Sequence, residues 1–202
     1  FRENGQRNFI NKGLSKAESE DIILISDVDE IPNLEDINFN NLNQKIFLFQ
    51  QDMLYYKFNL KLPNYTWTGT KGCKKKYFKN PQWLRNIKDR KYPFYRVDAL
   101  FSEKKFINCA LINNGGWHFT NIKTAEEIKY KLQSYLHHIE FDKKPLNEVK
   151  INEMIKNKVA IYDLNADKRK NKFGGNKLVD YPINNLPKFL INNLEKYKQW
   201  ID

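Results

Sequence analysis

The chain has 202 residues, 41% of them hydrophobic and 14% aromatic, enough for a folded domain with its own core and too apolar for a disordered tail. No apolar run approaches the roughly 20 residues of a membrane-spanning helix, and no secretory leader pattern opens the chain. Its 35 Lys and Arg against 24 Asp and Glu leave a formal charge of +11, which attracts nucleotides, polyanions and anionic membrane surfaces, yet no zinc-finger or RNP-like motif marks a nucleic-acid binder.

The first residues are Phe1-Arg2-Glu3-Asn4 rather than Met, which reads as the interior of a longer protein; a fragment is the expectation. Residues 4–14 have helical spacing, with Phe9, Ile10 and Leu14 on one side and Gly13 near the end. Asp21-Ile22-Ile23-Leu24-Ile25-Ser26 is a short apolar run rich in β-branched residues, predicted as a strand buried on both faces, as in a parallel sheet covered by helices. Ile46–Phe49 is a second buried strand and Met53–Leu60 a third, more aromatic one. Residues 63–96, dense in Pro, Gly, Lys and aromatics, read as loops with short strands lining a site.

Phe106–Ile112 is the next strand, and Asn113-Asn114-Gly115-Gly116 a turn. Thr124 and Glu127 have capping-box spacing before a helix carrying Ile128, Leu132, Tyr135, Leu136 and Ile139, with His137-His138 as a structural pair near its end. A helix over 147–157, a strand over Val159-Ala160-Ile161-Tyr162 and a last helix from Pro187 with Phe189, Leu190, Leu194, Tyr197 and Ile201 inward complete the order. Mixed strands and helices predict an α/β fold in one domain. The charge clusters Lys74-Lys75-Lys76 and Asp167-Lys168-Arg169-Lys170 read as solvated surface. Cys73 and Cys109 make no C-x-x-C and no disulfide framework; both read as thiols, although spacing alone does not decide a bridge.

The chemistry concentrates in Ser26-Asp27-Val28-Asp29-Glu30-Ile31-Pro32, directly after the first strand. Ligands of open α/β sheets bind beyond the carboxyl ends of strands. If the segment stays extended, Asp27 and Asp29 point the same way. Mg²⁺ or Mn²⁺ relieves the repulsion of two such carboxylates and keeps coordination positions for phosphate oxygens, which a sugar nucleotide supplies. Phosphatases of the haloacid-dehalogenase type also place Asp-x-Asp after a buried strand. Their motif continues with Thr or Val where this chain has Ile31, and they carry a later Gly-Asp segment; none of the eight glycines here precedes Asp.

Arg2-Glu3-Asn4, Gln6-Arg7, Gly13-Leu14, Asp21 and the Ser26–Pro32 string together resemble glycosyltransferase family 17, the family of the β-1,4-mannosyl-glycoprotein 4-β-N-acetylglucosaminyltransferase. Gly69-Thr70-Lys71, Gly115-Gly116-Trp117-His118-Phe119 and the closing Leu186–Leu190 and Lys196-Tyr197-Lys198 are similar to later blocks, so the resemblance spans nearly the whole chain. It implies a GT-A-like, mainly parallel sheet flanked by helices and lacking the strands that precede Arg2-Glu3-Asn4 in family members. It also implies inverting transfer of a sugar from a UDP-sugar, UDP-GlcNAc by analogy, to a glycan hydroxyl, with Mn²⁺ or Mg²⁺. A non-catalytic sugar- or nucleotide-binding remnant is the alternative.

On that resemblance Asp29 is the metal carboxylate, Asp27 contacts the ribose or shares the metal, and His118 is a third metal or phosphate contact. Trp117 either stacks on an acceptor sugar or packs in the core. Inverting transfer needs a general base; Asp52 and Glu127 are the candidates, Glu127 already having a role in its capping box. Arg7 and Lys71 are candidates to balance diphosphate charge. The expected partners are a nucleotide sugar and a glycan acceptor rather than nucleic acid, with peripheral membrane contact through the basic surface. A cytoplasmic enzyme of bacterial or viral type is the expected setting, with Golgi-type residence the alternative for a chain whose N-terminal segment is missing.

Overall fold

A computed structural model of the chain describes residues 2–35, 37–89, 95–102, 105, 109–134, 146–161 and 175–202. Among the described residues, seven strands form one mixed sheet: β1 Ile22–Ile25, β2 Glu30–Pro32, β3 Ile46–Tyr55, β4 Leu60–Lys74, β5 Cys109–Ile112, β6 Gly116–Thr120 and β7 Val179–Asp180. Their order is β1-β4-β3-β6-β2, with β5 also on β3 and β7 on β4. The helices are α1 Arg2–Phe9, α2 Pro81–Asn86, α3 Val97–Leu100, α4 Ala125–Ser134, α5 Glu148–Lys156 and α6 Lys188–Ile191, joined by short 3₁₀ turns. This is an α/β architecture. Among the described residues, no helix is long and apolar enough to cross a membrane.

The chain divides into two compact units, and the division falls within β3, β4 and β6. The first unit is Phe1–Gln51 with Trp67–Gly116. In it β1 pairs antiparallel with β4, Ile22 opposite Lys74 and Ile25 opposite Lys71, while β5 pairs parallel with the first half of β3. Ile23, Ile25, Ile46, Leu48 and Cys73 pack with Trp83, Leu84 and Ile87 of α2 and its end. Asn80 caps α2 by accepting from the Trp83 N–H at 2.8 Å, and Pro81 occupies the first turn, where its missing N–H costs nothing. Burial among apolar side chains pushes the Cys73 thiol up to about 12.

The second unit is Asp52–Thr66 with Trp117–Asp202. Here β6 pairs parallel with the end of β3, Asp52 opposite Trp117 and Met53 opposite His118. Leu54, Leu186 and Leu190 gather Phe58, Trp117, Phe119, Tyr181, Ile183, Tyr197 and Ile201 into a core. The expected capping box closes α4: Thr124 N–H donates to Glu127 Oε2 at 2.9 Å and Glu127 N–H returns to Thr124 Oγ1 at 3.3 Å. Asn147 caps α5.

Several sequence expectations are revised. The first strand is not flanked by parallel neighbours; its partner is antiparallel and its burial alternates, Ile23 and Ile25 inward. Four apolar residues specify burial but not the direction of the neighbour. Met53–Leu60 is not one strand, because Tyr56 adopts a left-handed φ of 65° and the chain turns over residues 56–59 into β4. A connection that short between neighbouring strands makes them antiparallel. Residues 63–74, read as part of a region of loops with short strands, belong to one 15-residue strand, Leu60–Lys74. It is laddered to β7 at Leu60 and Lys61 and to β1 from Lys71, so Pro63 lies between the two ladders, where a missing donor is tolerated.

The Asn113–Gly116 turn does not reverse the chain; β5 and β6 both run parallel to β3, one after the other. Val159 makes a single bridge to Lys177 instead of opening a strand. Phe189 is exposed, since α6 is only four residues long and turns Leu190 inward. Residues 106–108, 135–140, 162 and 167–170, on which parts of the predicted strands, the His137-His138 pair and a basic cluster fall, lie outside the described residues.

Candidate active site

Beyond β1 the chain does not stay extended. Glu30 N–H donates to the Asp27 carbonyl at 3.0 Å, closing a four-residue turn with Val28 and Asp29 at its tip. The Glu30 carboxylate bends back and accepts from the Asp27 N–H at 3.0 Å, so each end of the turn is tied to the other. Asp27 and Asp29 therefore do not alternate along one face. Val28 is fully exposed, Asp29 half-buried, and Glu30 buried at 4% exposure.

Burying a carboxylate is costly unless it is paired and hydrogen-bonded. Glu30 is both. Arg85 of α2 grips it with a planar fork, Nη1 to Oε2 at 2.9 Å and Nη2 to Oε1 at 3.0 Å, and Trp67 Nε1 of β4 donates to Oε1 at 2.8 Å. Arg85 extends the lock by donating from Nη1 to the Gly69 carbonyl at 2.5 Å and from Nη2 to Asp27 Oδ2 at 2.7 Å. Arg7 of α1 takes the other Asp27 oxygen at 3.1 Å while donating to Gln82 at 2.9 Å. Two guanidinium groups balance Asp27 and Glu30, and Asp29 adds the remaining carboxylate at the tip of the turn.

The floor of this arrangement requires glycine at position 69. A Cβ there would stand 1.9 Å from Gln51 Oε1 and 2.9 Å from the Glu30 carboxyl carbon. Gln51 is itself fixed, accepting from the Thr70 N–H and donating to Thr70 Oγ1 at 3.2 Å, and the hydroxyls of Thr70 and Ser26 are 2.7 Å apart. Gly116 meets a similar demand on β6: its φ is +125° and a Cβ would fall 2.1 Å from the Ile31 carbonyl.

Lys71 faces elsewhere. Its Nζ donates to the carbonyls of Arg85 and Ile87 at 2.8 and 2.5 Å, groups that the end of α2 leaves without helical partners. Burial is the leading cause that lowers its pKa to about 8, with the Arg85 charge acting in the same direction.

In the second unit, Asp52 lies on β3 and pairs with Lys61 of β4 at 2.5 Å, the two side chains being 26% and 30% exposed. Tyr181 joins them. Desolvation first, then the neighbouring Asp52 charge, push its hydroxyl up to about 12. Trp117 Nε1 donates to the Asn185 carbonyl at 2.8 Å, and the Tyr181 hydroxyl lies 3.3 Å from the same oxygen. His118 is buried on β6 at 8% exposure. Glu127 is engaged in the capping box of α4, where the Thr124 N–H and hydroxyl hold its carboxyl below the usual range.

The structure thus joins Arg7 to Asp27 in one unit and places Asp52 beside Trp117 in the other, while Lys71 and Glu127 have local structural partners. Glu30, Trp67 and Arg85 were not singled out as a unit by the sequence. The Asp27-x-x-Glu30 spacing carried a signal for the turn, since an acid three residues on can reach back to a backbone N–H. Nothing in spacing announced Trp67 or Arg85, which stand 37 and 55 positions from Glu30. Among the described residues, no three His, Cys, Asp or Glu side chains gather as a metal-holding group.

The profile described as Glycosyltransferase family 17 matches residues 1–201. No curated protein matches the chain significantly, and no solved structure does. With the profile covering essentially the whole chain, the protein belongs to glycosyltransferase family 17, and its activity is glycosyl transfer.

Proposed function

We propose that the protein transfers a sugar, GlcNAc by family analogy, from a UDP-sugar to a glycan hydroxyl with inversion, on a GT-A-like fold, and that the Asp27–Glu30 turn is the donor site. The supporting observation is the lock on that turn: Glu30, Arg85, Trp67 and Arg7 hold Asp27 and leave Asp29 at the tip, directly past the end of β1. So much buried polar organisation behind a surface turn is costly unless the turn must hold one shape.

The donor set suits Mn²⁺ or Mg²⁺. Such ions are commonly held through one or two carboxylates together with substrate phosphates, without an all-protein cage. Asp29 is the carboxylate offered for this, and Asp27, whose two oxygens meet Arg7 and Arg85, orients the turn. When bound, the cation supplies Lewis-acid stabilisation of the departing diphosphate. Arg7 adds a guanidinium with a fork suited to phosphate. Asp52 is the general base for the acceptor hydroxyl, because its carboxylate is partly exposed and stands 2.5 Å from the Lys61 ammonium. For His118 as a third ligand the support is the resemblance of its Gly-Gly-Trp-His block.

Calorimetric titration with UDP and UDP-GlcNAc, with and without Mn²⁺, tests this reading on the wild type and on Asp29→Ala. Binding that needs Mn²⁺ and is lost in Asp29→Ala is the expected result. A folded chain that binds neither nucleotide under any condition would be a non-catalytic remnant, and the donor-site assignment would fall.

A further inference from the structure

We infer that Asp52, Lys61, Trp117 and Tyr181 form a hexopyranose-binding subsite within the second unit. The inference rests on the transferase reading and names the residues that would hold its acceptor. It starts from an anomaly in β3. The strand reads Ile-Phe-Leu-Phe-Gln-Gln-Asp-Met-Leu-Tyr, buried along most of its length, and Asp52 is its one charged residue. A carboxylate in such a strand is retained only with compensation. Here that compensation reaches the surface, since Asp52 and Lys61 are both about a quarter to a third exposed. An exposed cross-strand ion pair contributes at most about 1 kcal/mol, so stability alone is a weak reason to keep a charge at this position.

The surrounding groups match a sugar. Trp117 is the register partner of Asp52, half-buried, with its indole N–H fixed on the Asn185 carbonyl. A fixed, partly exposed indole offers an apolar body for the C–H face of a pyranose. Tyr181 stays protonated at all ordinary pH values, its hydroxyl raised by desolvation and by Asp52, and the Lys61 ammonium lies 5.7 Å from its ring centroid. An ionised carboxylate accepts about four hydrogen bonds. Lys61 accounts for one, and the Tyr181 hydroxyl donates its proton to the Asn185 carbonyl at 3.3 Å, which leaves acceptor capacity on Asp52 for vicinal hydroxyls. Few polar groups beside an aromatic surface are the usual composition of a small-ligand site. The patch is uncharged in sum, Lys61 against Asp52, which favours a neutral glycoside over a phosphorylated ligand.

The test is saturation-transfer NMR with a panel of methyl pyranosides (β-mannoside, β-glucoside, β-galactoside and N-acetyl-β-glucosaminide), with and without saturating UDP and Mn²⁺. The proteins are the wild type, Asp52→Asn, Trp117→Phe and Tyr181→Phe, each checked for folding by circular dichroism and thermal midpoint. At least one pyranoside should bind the wild type. Asp52→Asn and Trp117→Phe should weaken it tenfold or more, and Tyr181→Phe about threefold, with Mn²⁺-dependent UDP binding unchanged. Pyranoside binding that is equal in wild type and folded variants overturns the subsite. Absence of pyranoside binding in a wild type that still binds UDP overturns it too, and leaves the donor reading intact. Pyranoside binding without UDP binding would support the subsite and reject the donor reading.

Discussion

Removing the Glu30 carboxylate is the sharpest perturbation available to the donor turn. In Glu30→Ala, Arg85 loses its bidentate partner and keeps Asp27 and the Gly69 carbonyl, while Trp67 Nε1 and the Asp27 N–H lose their acceptor. Breaking a buried ion pair from one side costs about 3–5 kcal/mol, and here the loss falls on the Arg85 fork and on the Trp67 and Asp27 N–H donors that met Glu30. For a chain of this size each kcal/mol moves the thermal midpoint by about 2–4 °C, so a fall of about 6–20 °C is expected. Glu30→Gln keeps the shape and one acceptor and should lose roughly half as much. Differential scanning calorimetry with urea denaturation measures both, and a double-mutant cycle with Arg85→Met isolates the pair, whose coupling should reach about 1.5 kcal/mol or more. A loss below about 1 kcal/mol for Glu30→Ala would show that Glu30 is not the buried anchor of the turn, and the argument for a pre-formed donor site would go with it.

Two other expectations concern the frame of the same site. Lys71 has a folded pKa near 8, below its ordinary 10.5. The unfolded chain therefore binds more protons between roughly pH 8 and 10.5, and this group makes stability rise with pH through that window, by up to about 3 kcal/mol, with the full penalty present below pH 8. Lys71→Met should remove that rise; parallel urea midpoints of wild type and variant between pH 7 and 10 would contradict it. Gly69→Ala forces a methyl group into Gln51 and Glu30 and should cost about 1–3 kcal/mol. At Gly13 nothing lies within 4 Å of the added methyl, so Gly13→Ala should leave the urea midpoint unchanged or raised. Equal midpoints for the two variants would refute the close packing drawn around residue 69.

Local signals determined a good part of this protein. The apolar run Ile22–Ile25 is a strand, Thr124 and Glu127 cap a helix, a second helix falls within 147–157, and the Asp-Val-Asp-Glu-Ile-Pro string with its downstream blocks points to the family that the profile match identifies. These depend on residues a few positions apart, where period, capping chemistry and motif act without help from the rest of the chain. Tertiary structure alone decided that β1 has an antiparallel neighbour, that a stretch rich in Pro and Lys is a 15-residue strand, and that Tyr56 breaks an apparently continuous one. It also placed Asp27 at the arginine-held end of a turn instead of on an extended segment, and made Glu30 the buried centre of the lock. The physical reason is one of range: a charge can be buried only where partners from distant segments meet it, and spacing along one chain does not record which arginine or which indole will arrive.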